Sequence, residues 1–474
     1  MKVNLNNNII DNISREIKGT LYENKVYVVG GFVRDFLMGI PSNDIDLLID
    51  GDINAGIEFA EWFCKKTRIY KKDSNPVIYG LYGTAMFNYM GEKIESVAPR
   101  SEKYKEDSRN PLVTSCTIED DCFRRDFTIN SLFVNISDNE LIDYSGHGVD
   151  DINNKIIRST NNPEIIFKDD SLRILRAIRF ACKYNFDIEG DTMNAMFTNA
   201  DRLSIITQER ITDEFNKMMM TDGPTRALCI LGYTGAMKYV VPELIETYDM
   251  GQNAYHFGTV WEHTLAVVEN NARACRNGEL KAYLSVRLAC VFHDLGKIKT
   301  RTVGDDGRVH FYDHETVGAD LVREIMTKMR YPNDVIDETC FYIRNHMVTK
   351  AWGDDLSHMK MKTFRKLMYK CKTEERFIHL MEVIDADNNA HKKEHCLPHQ
   401  VENIVNMMER EINYNTSMFG YKLPIDGNDV MEILGIEPGP NVKKYLGHCL
   451  KMAFNNPNIT KEQCIKEIKH FKVE

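Results

Sequence analysis

Two aspartates separated by one residue, Asp44 and Asp46, are the first side chains in this sequence whose types and spacing suggest chemistry. They end the stretch GGFVRDFLMGIPSNDID (30–46), just past a pair of glycines and an Arg-Asp pair. Side chains alternate between the faces of a strand, so both carboxylates point the same way while Ile45 and Leu47 point into the core. Because two carboxylates repel each other in an apolar core, the stretch is either a solvated turn or a metal site.

The two carboxylates suit Mg²⁺, which takes oxygen ligands and usually keeps substrate phosphates in its coordination shell. Glu95, in the strand-like stretch KIESVAPR, would supply a third oxygen. This arrangement favours a metal-assisted transfer of a nucleotidyl group. Asp-x-Asp is a short motif, however, and on these residues alone the alternative stays open: the two aspartates cap a turn after Pro41.

Length and composition bound the kind of protein. The chain has 474 residues, 43% of them hydrophobic and 27% charged, which predicts about three domains of roughly 150 residues each. It contains no uninterrupted apolar window of about 18 residues and no signal-peptide core, so we expect a cytoplasmic protein without a membrane partner. The net charge of -10 excludes indiscriminate nucleic-acid coating and restricts any nucleic-acid site to a local basic patch. The 12 cysteines form no CxxC pair, which predicts reduced thiols.

The hydrophobic pattern changes along the chain. Between residues 25 and 100, β-rich runs (KVYVVGG, DIDLLID, GTAMFNYM and KIESVA) alternate with polar turns, and a tight Gly91-Glu92 turn joins the last two. From about residue 164 the period becomes helical, with little strand signal. Pro and Gly residues in 232–244 and 413–429 indicate boundaries. The sequence thus predicts an α+β multi-domain fold, with a mixed β-sheet head followed by a mostly α-helical remainder.

Four motifs follow one another in a distinctive order and spacing: GGFVRDFLMGIPSNDID, CFRRDFTINSLFVN (122–135), LIDYSGHGVDDINNKIIR (141–158) and DDSLRILRAIRF (169–180). Over about residues 25–220 the chain resembles the bacterial-type tRNA nucleotidyltransferase family. These are the CCA-adding enzymes, and the family includes bacterial poly(A) polymerases. The resemblance implies a catalytic head in which Asp44 and Asp46 bind the catalytic metals.

The resemblance also implies a nucleotide pocket in the head. The positions that match the family's triphosphate-shaping and ribose-contacting residues are Gly30, Gly31, Arg34, Asp35, Arg124, Arg125 and Asp126. In the implied reaction the RNA 3′-hydroxyl attacks the α-phosphorus and pyrophosphate leaves, while metal ions and arginines neutralise the developing charge.

Base selection in this family is assigned to an E-D-x-x-R motif, which matches Asp169, Asp170 and Arg173. An Asp with an Arg offers paired acceptor and donor groups that can match a base edge. Within the predicted helix, Asp170 and Arg173 are three residues apart and are expected on one face. This sequence carries Asp169 where the family usually has Glu. The alternative for Asp170 and Arg173 is that they form an ordinary surface ion pair.

The same predicted helix has a basic row and an apolar face. Its helical period places four basic residues on one side and four apolar residues on the other: Arg173, Arg176, Arg179 and Lys183 against Ile174, Leu175, Ile178 and Ala181. A solvated charged face is the default explanation, and a surface for triphosphate or the RNA end is the other. KKTRIYKK (65–72) is a second basic run.

Further histidines and aspartates, residue types that bind metal ions, occur between residues 255 and 395. They lie in VWEHTLAVV, ACVFHDLGKIKTR, FYDHETVGA, YIRNHM and IDADNNAH. Imidazole and carboxylate ligands of this kind hold a divalent ion that activates water. The set resembles the HD phosphohydrolase superfamily. By that resemblance the first metal shell is His263, His293, Asp294 and Asp387, and a second site takes His314 and His346. Asp385 lies close to Asp387 and is the alternative.

These inferences predict four regions in order: a nucleotidyltransferase catalytic head (1–150), a helical neck that selects nucleotides and binds RNA (151–250), an HD metal-binding domain (251–400) and a helical tail that contacts tRNA (401–474). We expect CCA addition to tRNA from CTP and ATP with Mg²⁺, and a divalent ion of unspecified identity at the HD site. One rival is poly(A) addition by the same active site. Another is an HD-type phosphohydrolase with an RNA-binding head. The sequence predicts no oligomeric state.

Overall fold

The structure is a computed structural model that describes residues 1–67, 76–80, 83–103, 112–252, 258–305 and 307–471. The chain divides into two compact units, Met1–Pro242 and Glu243–Glu474. The division falls inside the Pro- and Gly-containing stretch 232–244. Within the described ranges, none of the helices is long and apolar enough to cross a membrane.

A mixed β-sheet forms the centre of the head. The strands of the first unit are β1 (Val26–Val29), β2 (Ile45–Ile49), β3 (Val77–Tyr79), β4 (Thr84–Tyr89), β5 (Glu92–Val97), β6 (Arg100–Lys103), β7 (Leu112–Ser115), β8 (Phe133–Asn135), β9 (Leu141–Ile142), β10 (Ile156–Ile157) and β11 (Asp187–Ile188). Seven of them make one sheet in the order β3-β4-β5-β2-β1-β8-β9. β2 and β5 pair in parallel, and the other neighbours in this sheet pair antiparallel. The predicted mixed-sheet head is confirmed.

Helices make up much of the rest of the first unit. They are α1 (Asn8–Ile17), α2 (Gly31–Leu37), α3 (Ala55–Lys66), α4 (Ile118–Arg124), α5 (Gly148–Asn154), α6 (Pro163–Asp169), α7 (Leu172–Tyr184), α8 (Gly190–Thr198), α9 (Gln208–Met219), α10 (Pro224–Tyr233) and α11 (Met237–Val240). Alternation in β2 buries Ile45 and Leu47 completely, as their spacing predicts. The aspartates on either side of Ile45 are thereby kept out of the core.

The β4–β5 hairpin turns one residue earlier than predicted. Tyr89 pairs with Glu92, so the two-residue loop is Met90-Gly91 and not Gly91-Glu92. Both loop residues have positive φ, 54° and 89°, which is the conformation that a type I′ hairpin turn requires. The sequence prediction put Glu92 in the loop because it assigned the turn to the glycine and the residue after it.

The second unit is almost entirely helical. Its helices are α12 (Val260–Arg276), α13 (Leu284–Phe292), α14 (Lys297–Thr300), α15 (His314–Lys328), α16 (Asn333–Asn345), α17 (Met361–Cys371), α18 (Glu374–Asn388), α19 (Gln400–Asn413), α20 (Gly427–Leu434), α21 (Pro440–Ala453) and α22 (Lys461–His470). A hairpin of β12 (Arg301–Val303) and β13 (Val309–Phe311) interrupts them, and the helical pattern did not predict it. All 12 cysteines are free, as expected.

Candidate active site and metal centre

The sheet places three carboxylates of the head side by side. Asp46 lies in β2 directly opposite Glu95 of the parallel neighbour β5. Asp44 is the exposed residue just before β2. Glu95 lies 49 residues after Asp46 in the sequence, and only the pairing of β2 with β5 brings the two side by side. The arrangement supplies three neighbouring sources of oxygen ligands at two interior strands of the sheet.

The electrostatics of these carboxylates suit a divalent cation. Burial, together with the negative charges of Asp44 and Glu95, raises the pKa of Asp46 from 3.8 to about 7, although Arg125 acts in the opposite direction. Burial likewise raises the pKa of Glu95. A divalent ion beside them would offset both the desolvation and the mutual repulsion, so the donor set fits Mg²⁺.

A glycine turn and a buried arginine form the next wall of the site. Gly30 has φ of 69°, a conformation that favours glycine, and it leads from β1 into α2. An added Cβ at Gly30 would lie 3.5 Å from Nη1 of Arg125. Arg34 is 6% exposed and donates from its guanidinium to Asp35 and Asn130. Asp35 also accepts a hydrogen bond from the hydroxyl of Tyr184 at 3.2 Å.

The Arg-Arg-Asp triplet is held by ion pairs at the end of α4. Arg124 and Arg125 both pair with the fully buried carboxylate of Asp121, at 2.5 and 2.9 Å. Asp126 accepts two hydrogen bonds from Arg176. Burial opposes ionisation of Asp126, but Arg176 outweighs that cost and lowers the pKa of the carboxyl to about 2. Asp126 therefore acts here as a fixed negative charge that orients Arg176.

The structure contradicts the expectation that Asp170 and Arg173 share one face of a helix. Helix α6 ends at Asp169, Asp170 is in an extended conformation, and Arg173 belongs to the first turn of α7. Asp170 pairs with Arg210 at 3.0 Å, while Arg173 donates to the backbone carbonyls of Arg124 and Ile166. The prediction was wrong because the sequence shows one continuous helical period across the boundary between α6 and α7. At this boundary the side chain of Asp170 accepts a hydrogen bond from the backbone N–H of Leu172.

Helix α7 has the two faces that its sequence predicts. The four apolar residues named above are all fully buried, and the four basic ones line the same cavity as Asp44 and Asp46. Arg179 pairs with Glu214 of α9 at 2.6 Å, and Arg176 lies 3.9 Å from it. Phe180 lies under three guanidinium groups, those of Arg34, Arg176 and Arg179.

Arg210 and Glu214 were not singled out from the sequence. Both belong to ITQERITDEFNKMMM, and their spacing of four residues on α9 was the available signal. Asp169, in contrast, is the last residue of α6, and among the described residues it is not part of the cavity lining. In the second basic run, residues 68–72 lie outside the described residues.

These residues enclose a cavity of about 810 Å³. That volume lies within the range of roughly 300–1,000 Å³ that is typical of small-molecule sites. Its basic lining residues are Arg34, Arg124, Arg125, Arg173, Arg176, Arg179, Lys183 and Arg210, and its acidic ones are Asp35, Asp44, Asp46, Asp126 and Asp170. The basic residues suit a ligand that is a polyanion, and the carboxylates suit a metal ion bound to it. A nucleoside triphosphate with Mg²⁺ is such a ligand.

In the second unit, imidazoles and carboxylates converge into two groups that share Asp294. One group is His263, His293 and Asp294, and the other is Asp294, His314 and His346; all are buried, and within each group the ligand atoms lie within 4.8 Å of one another. Asp387 adds a carboxylate oxygen 3.0 Å from Nε2 of His263. Asp385 instead accepts a hydrogen bond from Asn389, the residue just after α18.

The helices bring these ligands together through one close backbone approach. Gly296, two residues after Asp294, packs against α15, and an added Cβ would lie 2.0 Å from the carbonyl oxygen of His314. A side chain at position 296 would therefore push α15, which begins with His314, away from Asp294. Burial and the neighbouring imidazoles of His293 and His314 lower the pKa of His346 to about 3, so its ring is neutral, as a metal ligand requires.

Comparison with known protein families divides the chain into three matched segments. Residues 26–158 match the Poly A polymerase head domain. Residues 185–247 match the probable RNA and SrmB-binding site of polymerase A, and residues 260–387 match the HD domain. The matches follow the order of the carboxylate site, the neck and the imidazole cluster described above.

Known proteins are similar to this chain over most of its length. The Multifunctional CCA protein of Azoarcus sp. is 30% identical over 373 residues, which cover 77% of this chain and 83% of that protein. The mitochondrial CCA tRNA nucleotidyltransferase of Saccharomyces cerevisiae is 25% identical over 93% of this chain and 87% of its own length. The chain belongs to the family of CCA-adding tRNA nucleotidyltransferases.

Solved structures show the same fold. The Bacillus stearothermophilus CCA-adding enzyme in complex with CTP has a TM-score of 0.68 at 24% identity and covers 97% of this chain and 96% of its own. The Thermotoga maritima CCA-adding enzyme complexed with tRNA has a TM-score of 0.58 at 21% identity and covers 98% of this chain and 94% of its own.

Proposed function

We propose that the protein adds or restores the 3′-terminal CCA of tRNA, using CTP and ATP without a nucleic-acid template. One observation carries this proposal: Asp46 lies opposite Glu95 in the sheet, and Asp44 and Asp46 line a basic cavity in a chain of the CCA-adding family. The relatives are named for CCA addition, and similar solved enzymes hold CTP, ATP or tRNA, the same substrates that we assign here.

The three carboxylates would hold Mg²⁺, which neutralises charge on the phosphates and favours ionisation of the attacking 3′-hydroxyl. Arg125 lies beside Gly30 and Asp46 and can donate to phosphate oxygens as pyrophosphate leaves. Arg176, held by Asp126, presents a fixed guanidinium to the same anion. No covalent intermediate on the protein is needed for an in-line displacement of this kind.

The base would be read near the α6–α7 joint. Asp170 and Arg173 line the cavity, but their polar groups are bonded to Arg210 and to backbone carbonyls. A base that bonds to Asp170 must therefore displace Arg210 or share the carboxylate with it. Two successive additions of C and one of A require base-contacting residues that change their hydrogen bonds between additions. Residues at the boundary between two helices can change their positions more easily than residues within one continuous helix.

Sequencing of reaction products tests the proposal. The protein is incubated with Mg²⁺, all four nucleotides and either a tRNA that lacks its CCA end or an unstructured RNA of the same length. We expect two C and one A on the tRNA and poor extension of the unstructured RNA, with Asp46→Ala as the inactive control. Long A tails on either RNA would instead support poly(A) addition.

A second activity is proposed for the HD cluster, because its two ligand groups share Asp294 and lie beside a cavity of about 230 Å³. A divalent ion held by these imidazoles and carboxylates would activate water for hydrolysis of a phosphate ester. Lys297 lies 2.7 Å from Asp294, and Lys350 lies 3.0 Å from Asp387. Both amines can turn toward a phosphate at the cavity.

The regional assignment and location are also proposals. We assign the head to 1–150, the neck to 151–250, the HD domain to 251–400 and a tRNA-contacting tail to 401–474. Helix α21 begins at Pro440, and its N-terminal end can meet a phosphate of the tRNA. We place the protein in the cytoplasm, although its relatives include mitochondrial enzymes. Cell fractionation tests the location, and tRNA binding by a chain ending at residue 400 tests the tail.

A further inference from the structure

The hairpin β12–β13 presents two aromatic rings at the edge of the HD cavity. The rings of His310 and Tyr312 are nearly parallel, with an interplanar angle of 9° and a centroid distance of 5.2 Å. The Tyr312 hydroxyl lies 3.3 Å from Nδ1 of His310. Tyr312 is 70% exposed, and both residues line the cavity that also contains Asp294 and His314.

The position of Tyr312 follows from the chain around it. Phe311, its neighbour in sequence, is buried, and the Nζ of Lys297 lies 5.3 Å from the centre of the Phe311 ring. Tyr312 follows directly after the end of β13 and is exposed. Asp313 follows with φ of 58°, and helix α15 begins at His314. The exposed ring is therefore fixed two residues from a metal-type ligand.

The cavity is large enough for only one part of a nucleotide-sized ligand. At about 230 Å³ it is smaller than the roughly 300–1,000 Å³ of typical ligand pockets, so it suits a phosphate group with part of a sugar. Lys297 and Lys350 line it, and their ammonium groups offer nitrogen donors to such a group. A flat, apolar part of the ligand would remain outside, where Tyr312 lies.

We propose that His310 and Tyr312 form a stacking platform for a nucleobase, so that the HD cavity prefers a nucleoside monophosphate group over a phosphate ester without a base. This inference rests on the phosphohydrolase activity proposed above. Stacking is sequence-tolerant because every base has a π-face. The ligand is thus a terminal nucleoside phosphate, either free or at the end of an RNA.

Fluorescence of a Tyr312→Trp variant tests the platform without requiring catalysis. Adenosine 3′-monophosphate, ribose 5-phosphate and a short RNA ending in a 3′-phosphate are each titrated into the full-length protein with Mn²⁺ and into EDTA-treated protein. Tyr414→Trp is the matched control, because Tyr414 is a similarly exposed tyrosine, 75% exposed, at the end of α19. The signal of the native tryptophans is subtracted by means of the wild-type titration.

We expect saturable extra quenching by adenosine 3′-monophosphate in Tyr312→Trp, none by ribose 5-phosphate, and neither in Tyr414→Trp. Quenching by the RNA at lower concentration than by the free nucleotide would identify the RNA end as the source of the ligand. The inference is overturned if the nucleotide gives the same response at both positions, or if ribose 5-phosphate quenches as strongly as the nucleotide.

Hydrolysis then separates this inference from the activity on which it rests. Tyr312→Ala should raise KM for the nucleotide about 5- to 150-fold, the range expected for loss of one stacked base, while KM for ribose 5-phosphate is unchanged and Tyr312→Phe retains the wild-type values. If neither ester is hydrolysed but quenching is specific, the hydrolase proposal fails and the platform stands. Equal increases in KM for both esters would refute the platform.

Discussion

Replacement of Asp46 by Asn should stabilise the metal-free head while it abolishes nucleotide addition. In the folded protein, burial and the charges of Asp44 and Glu95 raise the pKa of Asp46 from 3.8 to about 7. A raised carboxyl pKa lowers stability progressively as the pH rises from the unfolded value to the folded one, and the full loss applies above about pH 7. The difference of roughly three pKa units corresponds to about 4 kcal/mol as an upper limit. Asn keeps the shape and removes the charge.

Hydrogen exchange of the β2 amides (Ile45–Ile49) in EDTA measures this effect within the first unit, so unfolding of the second unit does not obscure it. After correction for intrinsic exchange rates, Asp46→Asn should increase the opening free energy by up to about 4 kcal/mol at pH 8 and by less than half of that at pH 5. Mg²⁺ should stabilise β2 in the wild type and not in the variant. The control is Asp50→Asn, at an exposed aspartate just beyond the same strand.

The reasoning fails if Asp46→Asn weakens β2 at pH 8, or if Mg²⁺ stabilises the wild type and the variant equally. The first result would mean that ionisation of Asp46 does not destabilise the metal-free head, and the second that Mg²⁺ does not act through Asp46. Retention of nucleotide addition by the variant would remove Asp46 from the metal site.

Three further predictions concern the head, the neck and the HD cluster. Asp126→Asn should lower the stability of the head at pH 7 by roughly 2 kcal/mol, because the folded pKa of about 2 lies below the ordinary carboxyl pKa of 3.8, and the difference should disappear as the pH falls from about 4 to 2 in denaturant unfolding. Arg173→Ala should reduce discrimination among C, A, U and G by about 5- to 150-fold in single-nucleotide incorporation assays, and unchanged selection would exclude Arg173 from base reading. His293→Ala should leave nucleotide addition intact and remove Mn²⁺-stimulated phosphatase activity, measured on the same preparation; loss of both from a folded variant would contradict two separate sites.

The sequence by itself determined which residues face the core along each element. Alternation buries Ile45 and Leu47 beside the two aspartates, and the helical period of α7 separates its basic row from its apolar face. The order of the motifs indicated the family, and the HD string with its distant partners named the imidazoles that converge. These features are local, because a residue and its near neighbours in the chain fix the period.

The tertiary structure decided which distant residues meet and where a regular pattern breaks. Glu95 stands beside Asp46 because β2 and β5 pair in parallel, and Arg210 reaches Asp170 because α9 packs against α7. The break at Asp170 and the hairpin that carries Tyr312 were equally invisible to a periodicity argument. Strand register and helix packing depend on the summed burial of residues far apart in sequence, so a local pattern cannot specify them.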